Sequence, residues 1–254
     1  MTDDNEQWFE REELWEKLRP YIFPADRWEA APGEVDDLVD LLELGDESRI
    51  LDLPCGPGRH AVEFAARGFD VTGVDITPQY TEEATQLAAE RGVDAEFVVS
   101  DMRDFSRPES FDVVLNLFSS FGYFEDPGQD LVLLESMREN LRPGGHLVLE
   151  MVAKESLVQR FTPHDWHEFE DGAFLLEERE VRDDWGAIDN RWILIETDGT
   201  RTEYELSHRL FGASELRRLV EDAGFVDARV YGSLAGEDFD PDDSRLVLTA
   251  RRSS

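Results

Sequence analysis

Five short apolar segments alternate with helix-like segments between residues 49 and 150, and this alternation limits the chain to few folds. The apolar segments begin near Arg49, Phe69, Glu96, Phe111 and His146. The segments between them mostly repeat apolar residues at helical spacing. Strands that alternate with helices predict a parallel sheet with helices on both faces. Ligands of such sheets bind beyond the carboxyl ends of the strands.

The pattern changes after Glu150. Residues 174–182, 191–196 and 202–210 show rough alternation, and Asp198-Gly199 is a hairpin signal between the last two. We therefore predict an antiparallel three-stranded insertion, then a helix that ends at Gly224 and two final strands. The predicted organisation is a helical lid at 1–48, a ligand-binding core at 49–150, the insertion at 151–212 and completion of the core sheet at 213–254.

The charge balance excludes several classes of partner. The chain carries 59 acidic and 25 basic residues, a formal net charge of −34. Nucleic acids and anionic membrane surfaces attract clustered Lys and Arg, so neither is an expected partner. No apolar run approaches the roughly 20 residues that span a bilayer, and the acidic start MTDDNEQWFE lacks signal-peptide character. These features predict a cytoplasmic protein.

Lysine is almost absent, since Lys17 and Lys154 are the two in the sequence. An acidic excess spread along the whole chain is typical of adaptation to high salt, where screening removes most of the self-repulsion. We therefore expect a halophilic protein. The single cysteine, Cys55, excludes an internal disulfide and a cysteine-rich zinc site.

The strongest local motif is the segment Asp52-Leu-Pro-Cys-Gly56-Pro-Gly58-Arg-His60. Glycines permit a tight turn close to a ligand, and a helix that follows presents free N–H groups. Gly56 to Ala61 also fits the dinucleotide pattern G-x-G-x-x-A, with Asp75 about where a ribose-binding acid is expected. The motif alone therefore leaves an NAD(P)-dependent oxidoreductase open.

Three acidic residues at predicted strand ends favour another ligand. Asp52 is suited to a cationic amino group, Asp75 to two ribose hydroxyls, and Asp101 to an adenine amino group with Met102 against the ring. Three carboxylates suit a cationic, non-phosphorylated ligand better than a pyrophosphate. We therefore predict S-adenosylmethionine as the cofactor.

Residues 50–150 resemble the class I S-adenosylmethionine-dependent methyltransferases. The matching segments are ILDLPCGPGRHAVEFAARGFDVTGVDIT, VVSDMRDF, FDVVLNLFSSFGYF and LRPGGHLVLE, in the family's order and spacing. Pro54 departs from the family's usual glycine. The resemblance implies an α/β fold with a Rossmann-like, doubly wound, seven-stranded sheet, mostly parallel with the last strand antiparallel, and an antiparallel β insertion after the fifth strand.

The motif and the resemblance together assign a set of cofactor-binding residues. It comprises Asp52, Pro54, Gly56, Gly58, Arg59, Asp75, Ile76, Asp101, Met102, Asn116 and Phe118.

The segment FSSFGYF and the later insertion resemble small-molecule N-methyltransferases, including sugar-amine N,N-dimethyltransferases. That likeness implies methyl transfer to nitrogen or oxygen of a small molecule by in-line displacement, with the insertion forming the acceptor pocket or a dimer. The exposed strand edge predicts a homodimer. Two alternatives stay open: the oxidoreductase, and a non-catalytic protein that retains the fold.

The candidate catalytic residues are Tyr123, Tyr21 and His167, because each is expected near the mouth of the site. His208 lies in a predicted strand of the insertion and has no assigned direction. His164 and His167 have a spacing that suits two metal ligands on a helix, but no third ligand accompanies them. We therefore predict no metal site.

Overall fold

The computed structural model describes residues 7–254, so the first six residues of the expected lid lie outside the described part. Residues 49–152 alternate strand and helix as expected. The strands are β1 (Arg49–Asp52), β2 (Asp70–Asp75), β3 (Glu96–Val99), β4 (Phe111–Asn116) and β5 (Leu141–Val152). The helices are α3 (Ala61–Ala66), α4 (Pro78–Arg91) and α5 (Gly128–Asn140).

These strands form one seven-stranded sheet with β10 (Phe225–Tyr231) and β11 (Arg245–Arg252), which follow helix α7 (Ala213–Asp222). The order across the sheet is β3-β2-β1-β4-β5-β11-β10. The first five strands pair in parallel, whereas β11 runs antiparallel to both of its neighbours. This confirms the predicted doubly wound sheet. Its order reverses beside β1, which is where such sheets bind ligands.

Apolar side chains fill both faces of the sheet. Along β4, Val113 and Leu115 join one cluster with α3 and the N-terminal helix Ala25–Leu42, while Val114 joins the other with α5 and α7. All three side chains have no exposed surface. Successive side chains of a strand point to opposite faces, so a nearly continuous apolar run is what a sheet covered on both sides requires.

The insertion contains four antiparallel strands rather than the three expected. They are β6 (His164–Glu168), β7 (Phe174–Arg182), β8 (Ala187–Ile195) and β9 (Arg201–Arg209), preceded by helix α6 (Lys154–Arg160). The missed strand is β6, an edge strand whose charged residues give little apolar alternation. His164 and His167 lie on this strand, so their side chains point to opposite faces instead of sharing one helix face.

The N-terminal segment is a short 3-10 helix (Trp8–Glu10), α1 (Glu12–Ile22) and α2 (Ala25–Leu42). Helix α1 buries Leu14 and Leu18 completely, and α2 does the same with Val35 and Leu38. Among the described residues, no helix combines the length and apolar character that crossing a membrane requires.

Candidate active site

A cavity of about 840 Å³ lies at the carboxyl ends of the parallel strands. Three regions of the chain form its wall: the core sheet, the N-terminal helices and the insertion. Nine of the eleven residues expected to bind the cofactor line it, namely Asp52, Pro54, Gly56, Arg59, Asp75, Ile76, Asp101, Met102 and Phe118. The three candidate catalytic residues Tyr21, Tyr123 and His167 line it too.

The glycine turn after β1 explains why Gly58 lies outside the wall. Gly58 has a φ of +85°, and a Cβ there would approach the Cβ of Ala84 on α4 to 2.7 Å. Gly58 therefore permits close packing between the turn and α4. Gly56 has a φ of +52°, lines the cavity, and lies under the ring of Phe23. Of the two glycines, Gly56 is the one that faces the ligand space.

Asp75 is fixed at the end of β2 by two backbone donors. Its Oδ2 accepts a hydrogen bond from the Gly56 N–H at 2.8 Å, and its Oδ1 accepts one from the Thr77 N–H at 2.8 Å. An ionised carboxylate has about four acceptor positions, so these two bonds do not use all of them. Burial raises the pKa of Asp75, while these backbone bonds oppose the rise.

Asp52, at the end of β1, is 2% exposed. Burial raises the pKa of Asp52 to about 7, although the positive charge of Arg59 opposes the shift. A buried carboxylate of this kind is stabilised in its charged form by a nearby cation. The site therefore favours a ligand that brings a positive group next to Asp52.

Asp101 and Met102 lie side by side after β3. The Asp101 carboxylate accepts from the Arg103 N–H at 2.8 Å and from Arg103 Nη2 at 2.5 Å. Part of its acceptor capacity is thus already used by its own chain. Met102 is buried, with 8% of its surface exposed, and lines the cavity.

Asn116, at the end of β4, does not line the cavity. It has no exposed surface, and its Nδ2 donates to the Leu53 carbonyl at 2.7 Å. Asn116 therefore ties β4 to the end of β1 behind the wall. Its Oδ1 has no partner among the described residues.

Two arginines flank the turn. Arg59 donates from Nη1 to Glu34 Oε2 and to the Arg27 carbonyl at 3.0 Å, so α2 holds it in place. Arg27 itself was not predicted. Its guanidinium lies 4.2 Å from the ring centre of Phe118, a cation–π distance, and it lines the cavity. This end of the cavity is cationic in a strongly acidic chain.

Tyr123 lies in a group of aromatic rings. Its ring centre is 4.6 Å from that of Trp8, 4.5 Å from that of His208, and 6.4 Å from the stacked ring of Trp15. Burial raises the pKa of Tyr123, so the phenol keeps its proton at neutral pH. Tyr123 is therefore suited to donate a hydrogen bond and to form an apolar wall.

Tyr21 and His167 lie on the insertion side of the cavity. Tyr21 donates to Asp171 Oδ2 at 3.4 Å and packs 4.3 Å from the ring centre of Phe169. Burial and the nearby Asp171 raise the pKa of Tyr21. His167 is exposed on β6, and its Nε2 lies 3.5 Å from Glu177 Oε2. The structure thus separates both residues from the group around Tyr123.

One face of the insertion sheet lines the cavity. Glu177 pairs directly with Trp192, which pairs directly with Tyr204, and Arg179 pairs with Asn190 and then Leu206. Cross-strand partners share a face. Asp165, His167 and Glu177 come within ligand distance of one another, but the Arg179 guanidinium already binds Glu177. This group is therefore an ion-pair network on the cavity wall.

Comparison with known proteins bears on the same region. Residues 50–145 match the family model described as a methyltransferase domain. This part of the chain is therefore similar to methyltransferase domains. It is 31% identical over 131 residues to dTDP-3-amino-3,4,6-trideoxy-alpha-D-glucopyranose N,N-dimethyltransferase of Streptomyces venezuelae, covering 51% of this chain and 54% of that one. The chain thus spans about half the length of that relative.

Two further likenesses cover more of the chain. It is 28% identical over 201 residues to dTDP-4-amino-2,3,4,6-tetradeoxy-D-glucose N,N-dimethyltransferase of Saccharopolyspora spinosa, covering 78% of each chain. Its fold matches CalS10, an amino pentose methyltransferase of Micromonospora echinaspora solved with S-adenosylmethionine bound, at a TM-score of 0.66 and 22% identity, covering 94% and 97% of the two chains.

These matches agree with the predicted methyltransferase class, and one matching fold is that of a protein solved with S-adenosylmethionine bound. They give no support to the oxidoreductase alternative. The family model ends at residue 145, so the insertion wall of the cavity lies beyond it. Sequence reasoning left that wall almost unassigned, and missed Arg27, Trp192 and the direction of His208. The direction of His208 could have been found from the sequence. Alternate residues of a strand share a face, so His208 lies on the same face of β9 as Tyr204 and Leu206.

Proposed function

We propose that this protein transfers the methyl group of S-adenosylmethionine to the amino nitrogen of a small, hydroxyl-bearing molecule. The observation that carries the proposal is the single cavity shared by two kinds of wall. One wall is the acidic strand ends and glycine turn, and the other is the aromatic and polar surface of the lid and insertion.

The residues present fit the cofactor. Asp52 supplies a buried carboxylate that a ligand ammonium would keep ionised, and Asp75 has acceptor positions free for ribose hydroxyls. Met102 supplies an apolar surface for adenine, with Asp101 and Ile76 at its border. When bound, S-adenosylmethionine supplies a methyl group activated by a sulfonium.

The cationic end of the cavity fits the cofactor's carboxylate. Arg27 presents its guanidinium against Phe118, and Arg59 lies between Glu34 and the Arg27 backbone. Charge-assisted bonds to a carboxylate are among the stronger hydrogen bonds in proteins. We assign Arg27 to this role, with Arg59 and Glu34 as its support.

The residues around Tyr123 act by positioning. Trp8, Trp15 and Tyr123 give a dry aromatic surface that excludes water and faces the charge that develops on an attacking nitrogen. Holding two reactants in line contributes about 7–11 kcal/mol in model systems. Little further chemistry is needed, because the methyl donor is already activated.

The acceptor class rests on the insertion face. Glu177, Arg179 and Asn190 offer acceptors and donors, and the Trp192 Nε1–H has no partner among the described residues. A mixed set of this kind suits a molecule that bears hydroxyl groups. Two relatives are named for amino sugars carried on a nucleoside diphosphate, which supports an amino sugar as the acceptor.

The test begins with calorimetric titration in molar salt with S-adenosylmethionine, S-adenosylhomocysteine and NADH. We expect binding of the first two and none of NADH. Methyl transfer is then assayed by mass spectrometry with the dTDP-3-amino-3,4,6-trideoxyglucose of the Streptomyces relative and with its 3-hydroxy analogue. Transfer to the amine alone supports the proposal. Transfer only to the hydroxyl analogue contradicts amine methylation and indicates O-methylation. Cofactor binding without transfer to any acceptor favours a non-catalytic protein.

The charge and the sheet edge support three further parts of the proposal. We infer a cytoplasmic location and adaptation to high salt from the net charge of −34. We infer a homodimer through the insertion because edge strand β6 carries Trp166, whose surface is 61% exposed.

Unfolding curves at low and molar salt test the adaptation, and cell fractionation of the source organism tests the location. Light scattering of the native protein and Trp166→Ser tests the dimer, and a monomer at micromolar concentration contradicts it.

A further inference from the structure

The segment after β4 has an unusual backbone. Phe118 and Ser119 have φ values of 63° and 58°, a conformation that non-glycine residues seldom adopt. Three hydrogen bonds to the end of β5 hold it. The Phe118 N–H donates to Glu150 Oε2 at 2.6 Å, the Ser119 N–H donates to the Glu150 carbonyl at 2.9 Å, and Ser119 Oγ accepts from the Val152 N–H at 3.0 Å. Strain of this kind persists where the surroundings determine it and is common at functional sites.

The same segment is held against the insertion. Gly122 has a φ of +98°, and a Cβ there would lie 2.9 Å from the Arg209 carbonyl oxygen. The Arg209 N–H donates to the Gly122 carbonyl at 2.8 Å. Because Gly122 lacks a side chain, the segment approaches β9 closely. This contact brings Tyr123 beside His208.

The Ser119 carbonyl determines the protonation of His208. The Nε2 atom of His208 lies 3.0 Å from the Ser119 oxygen. A carbonyl oxygen only accepts hydrogen bonds, so Nε2 carries the proton. The Nδ1 atom of the neutral ring is then a lone-pair acceptor. No hydrogen bond to Nδ1 is found among the described residues.

His208 belongs to the cavity wall. It lies 4.5 Å from the ring centre of Tyr123, which meets it edge to face, and 5.7 Å from that of Trp8. Burial lowers the pKa of His208, and the bond to Ser119 opposes that shift. Tyr123 is the titratable group that faces the ring, and no carboxylate or cation of the described residues shifts its pKa. The imidazole is therefore neutral at pH 7.

We propose that His208 Nδ1 accepts the proton that the acceptor nitrogen loses during methyl transfer. The new N–C bond forms as the methyl carbon separates from sulfur, and the C–S electron pair stays on sulfur. The nitrogen becomes cationic, and one of its protons passes to Nδ1. The Ser119 carbonyl then stabilises the imidazolium through Nε2–H. This inference rests on the proposed amine methylation.

The first test needs no acceptor. The five histidines are labelled with ¹⁵N, and His208→Gln identifies the His208 signals. We expect the neutral Nε2–H form at pH 7.5, with protonation only below pH 6.5. A proton on Nδ1, or a cationic ring at pH 7.5, refutes the proposal whatever the acceptor proves to be.

The second test compares two glutamine variants in the methylation assay. Glutamine places its amide near the Nε2 position, so His208→Gln keeps a donor for Ser119 but removes the base. We expect kcat to fall by about 10²–10⁴-fold, loss of the acidic limb of the pH profile, and unchanged affinity for S-adenosylhomocysteine. His146→Gln is the matched control, because His146 lies on β5 and does not line the cavity.

The outcomes separate this inference from the proposed function. Full activity of His208→Gln refutes the role of His208 while leaving the methyltransferase intact. If the native protein methylates no amine, the proposed amine substrate is wrong. The role of His208 as proton acceptor is then wrong as well, even where the imidazole is in the neutral Nε2–H form.

Discussion

The two halves of the cavity are built in different ways. The half proposed to bind the cofactor, or cofactor half, uses backbone turns at the ends of parallel strands, and its Asp75 is fixed by the backbone N–H groups of Gly56 and Thr77. The acceptor half brings together Trp8, Tyr123 and His208, which lie far apart in the chain. The first half is therefore a local property of the sequence, whereas the second depends on how the insertion docks.

Asp75→Ala is expected to have the largest effect, and the effect should be confined to the cofactor half. It removes the acceptors proposed for both ribose hydroxyls, and bonds to a charged group contribute about 1.5–3 kcal/mol each. We expect the dissociation constant of S-adenosylhomocysteine to rise by about 10²–10⁴-fold in calorimetry. Asp70→Ala is the control, since Asp70 lies exposed at the start of β2. Equal affinities of the two variants contradict the assignment.

Asp52→Asn is expected to raise the stability of the protein and to lower its affinity for the cofactor. The pKa of Asp52 is raised to about 7 in the folded protein. The native state therefore holds a proton between about pH 4 and 7 that the unfolded state releases, and the free energy of unfolding falls as pH rises through this range. We expect Asp52→Asn to raise Tm of the ligand-free protein at pH 8. Affinity for S-adenosylmethionine should fall about tenfold, for the loss of one charge-assisted bond.

The wild-type protein supplies the matching control. Its affinity for S-adenosylmethionine should strengthen as pH rises from 5 to about 7, where Asp52 ionises. A flat profile between pH 5 and 8 contradicts the role of Asp52 as the partner of the ammonium.

Gly122→Ala is expected to damage the acceptor half alone. Its φ of +98° and the 2.9 Å contact with the Arg209 carbonyl leave no space for a methyl group. We expect a loss of about 1–3 kcal/mol in the free energy of unfolding, a lower kcat, and unchanged cofactor affinity. Gly45→Ala, where a Cβ meets nothing within 4 Å, is the control. Weaker cofactor binding in Gly122→Ala would show that the halves are coupled.

The smallest effect is expected from Trp192→Phe. This change removes the unpaired Nε1–H and keeps most of the ring. If that N–H binds an acceptor hydroxyl, KM for the acceptor should rise about tenfold or less, with kcat nearly constant. An unchanged KM for both the amino sugar and its deoxy analogue contradicts the contact.

Nine of the eleven residues predicted for the cofactor line the cavity, because the signals that singled them out are local. Strand ends, the turn glycines and the acids at Asp52, Asp75 and Asp101 follow one another at short range. It could not tell which glycine faces the ligand, because Gly58 is defined by its contact with Ala84 on another helix. It also misplaced Asn116, since a polar residue at a strand end is equally suited to bind a ligand or to tie two strands together.

The acceptor half was less predictable for a related reason. Trp192 is placed in the cavity by its register with Glu177, and register is a long-range property that alternation alone does not specify. Strand β6 gave no apolar signal because it is a charged edge strand. The N-terminal helices were expected, but their aromatic contacts with Tyr123 and His208 depend on docking across the whole chain.

The ties between helix α1 and the insertion have a consequence for turnover. Lys17 Nζ lies 2.9 Å from Glu196 Oε2, and the Tyr21–Asp171 bond is long at 3.4 Å. Contacts of this kind between partly exposed groups contribute about 0–1 kcal/mol, and dissolved ions weaken the charged one. We therefore expect the contact between helix α1 and the insertion to loosen as the ionic strength rises. Exchange of whatever the cavity holds would then quicken with added salt, so ionic strength would act on the rate of opening as well as on stability.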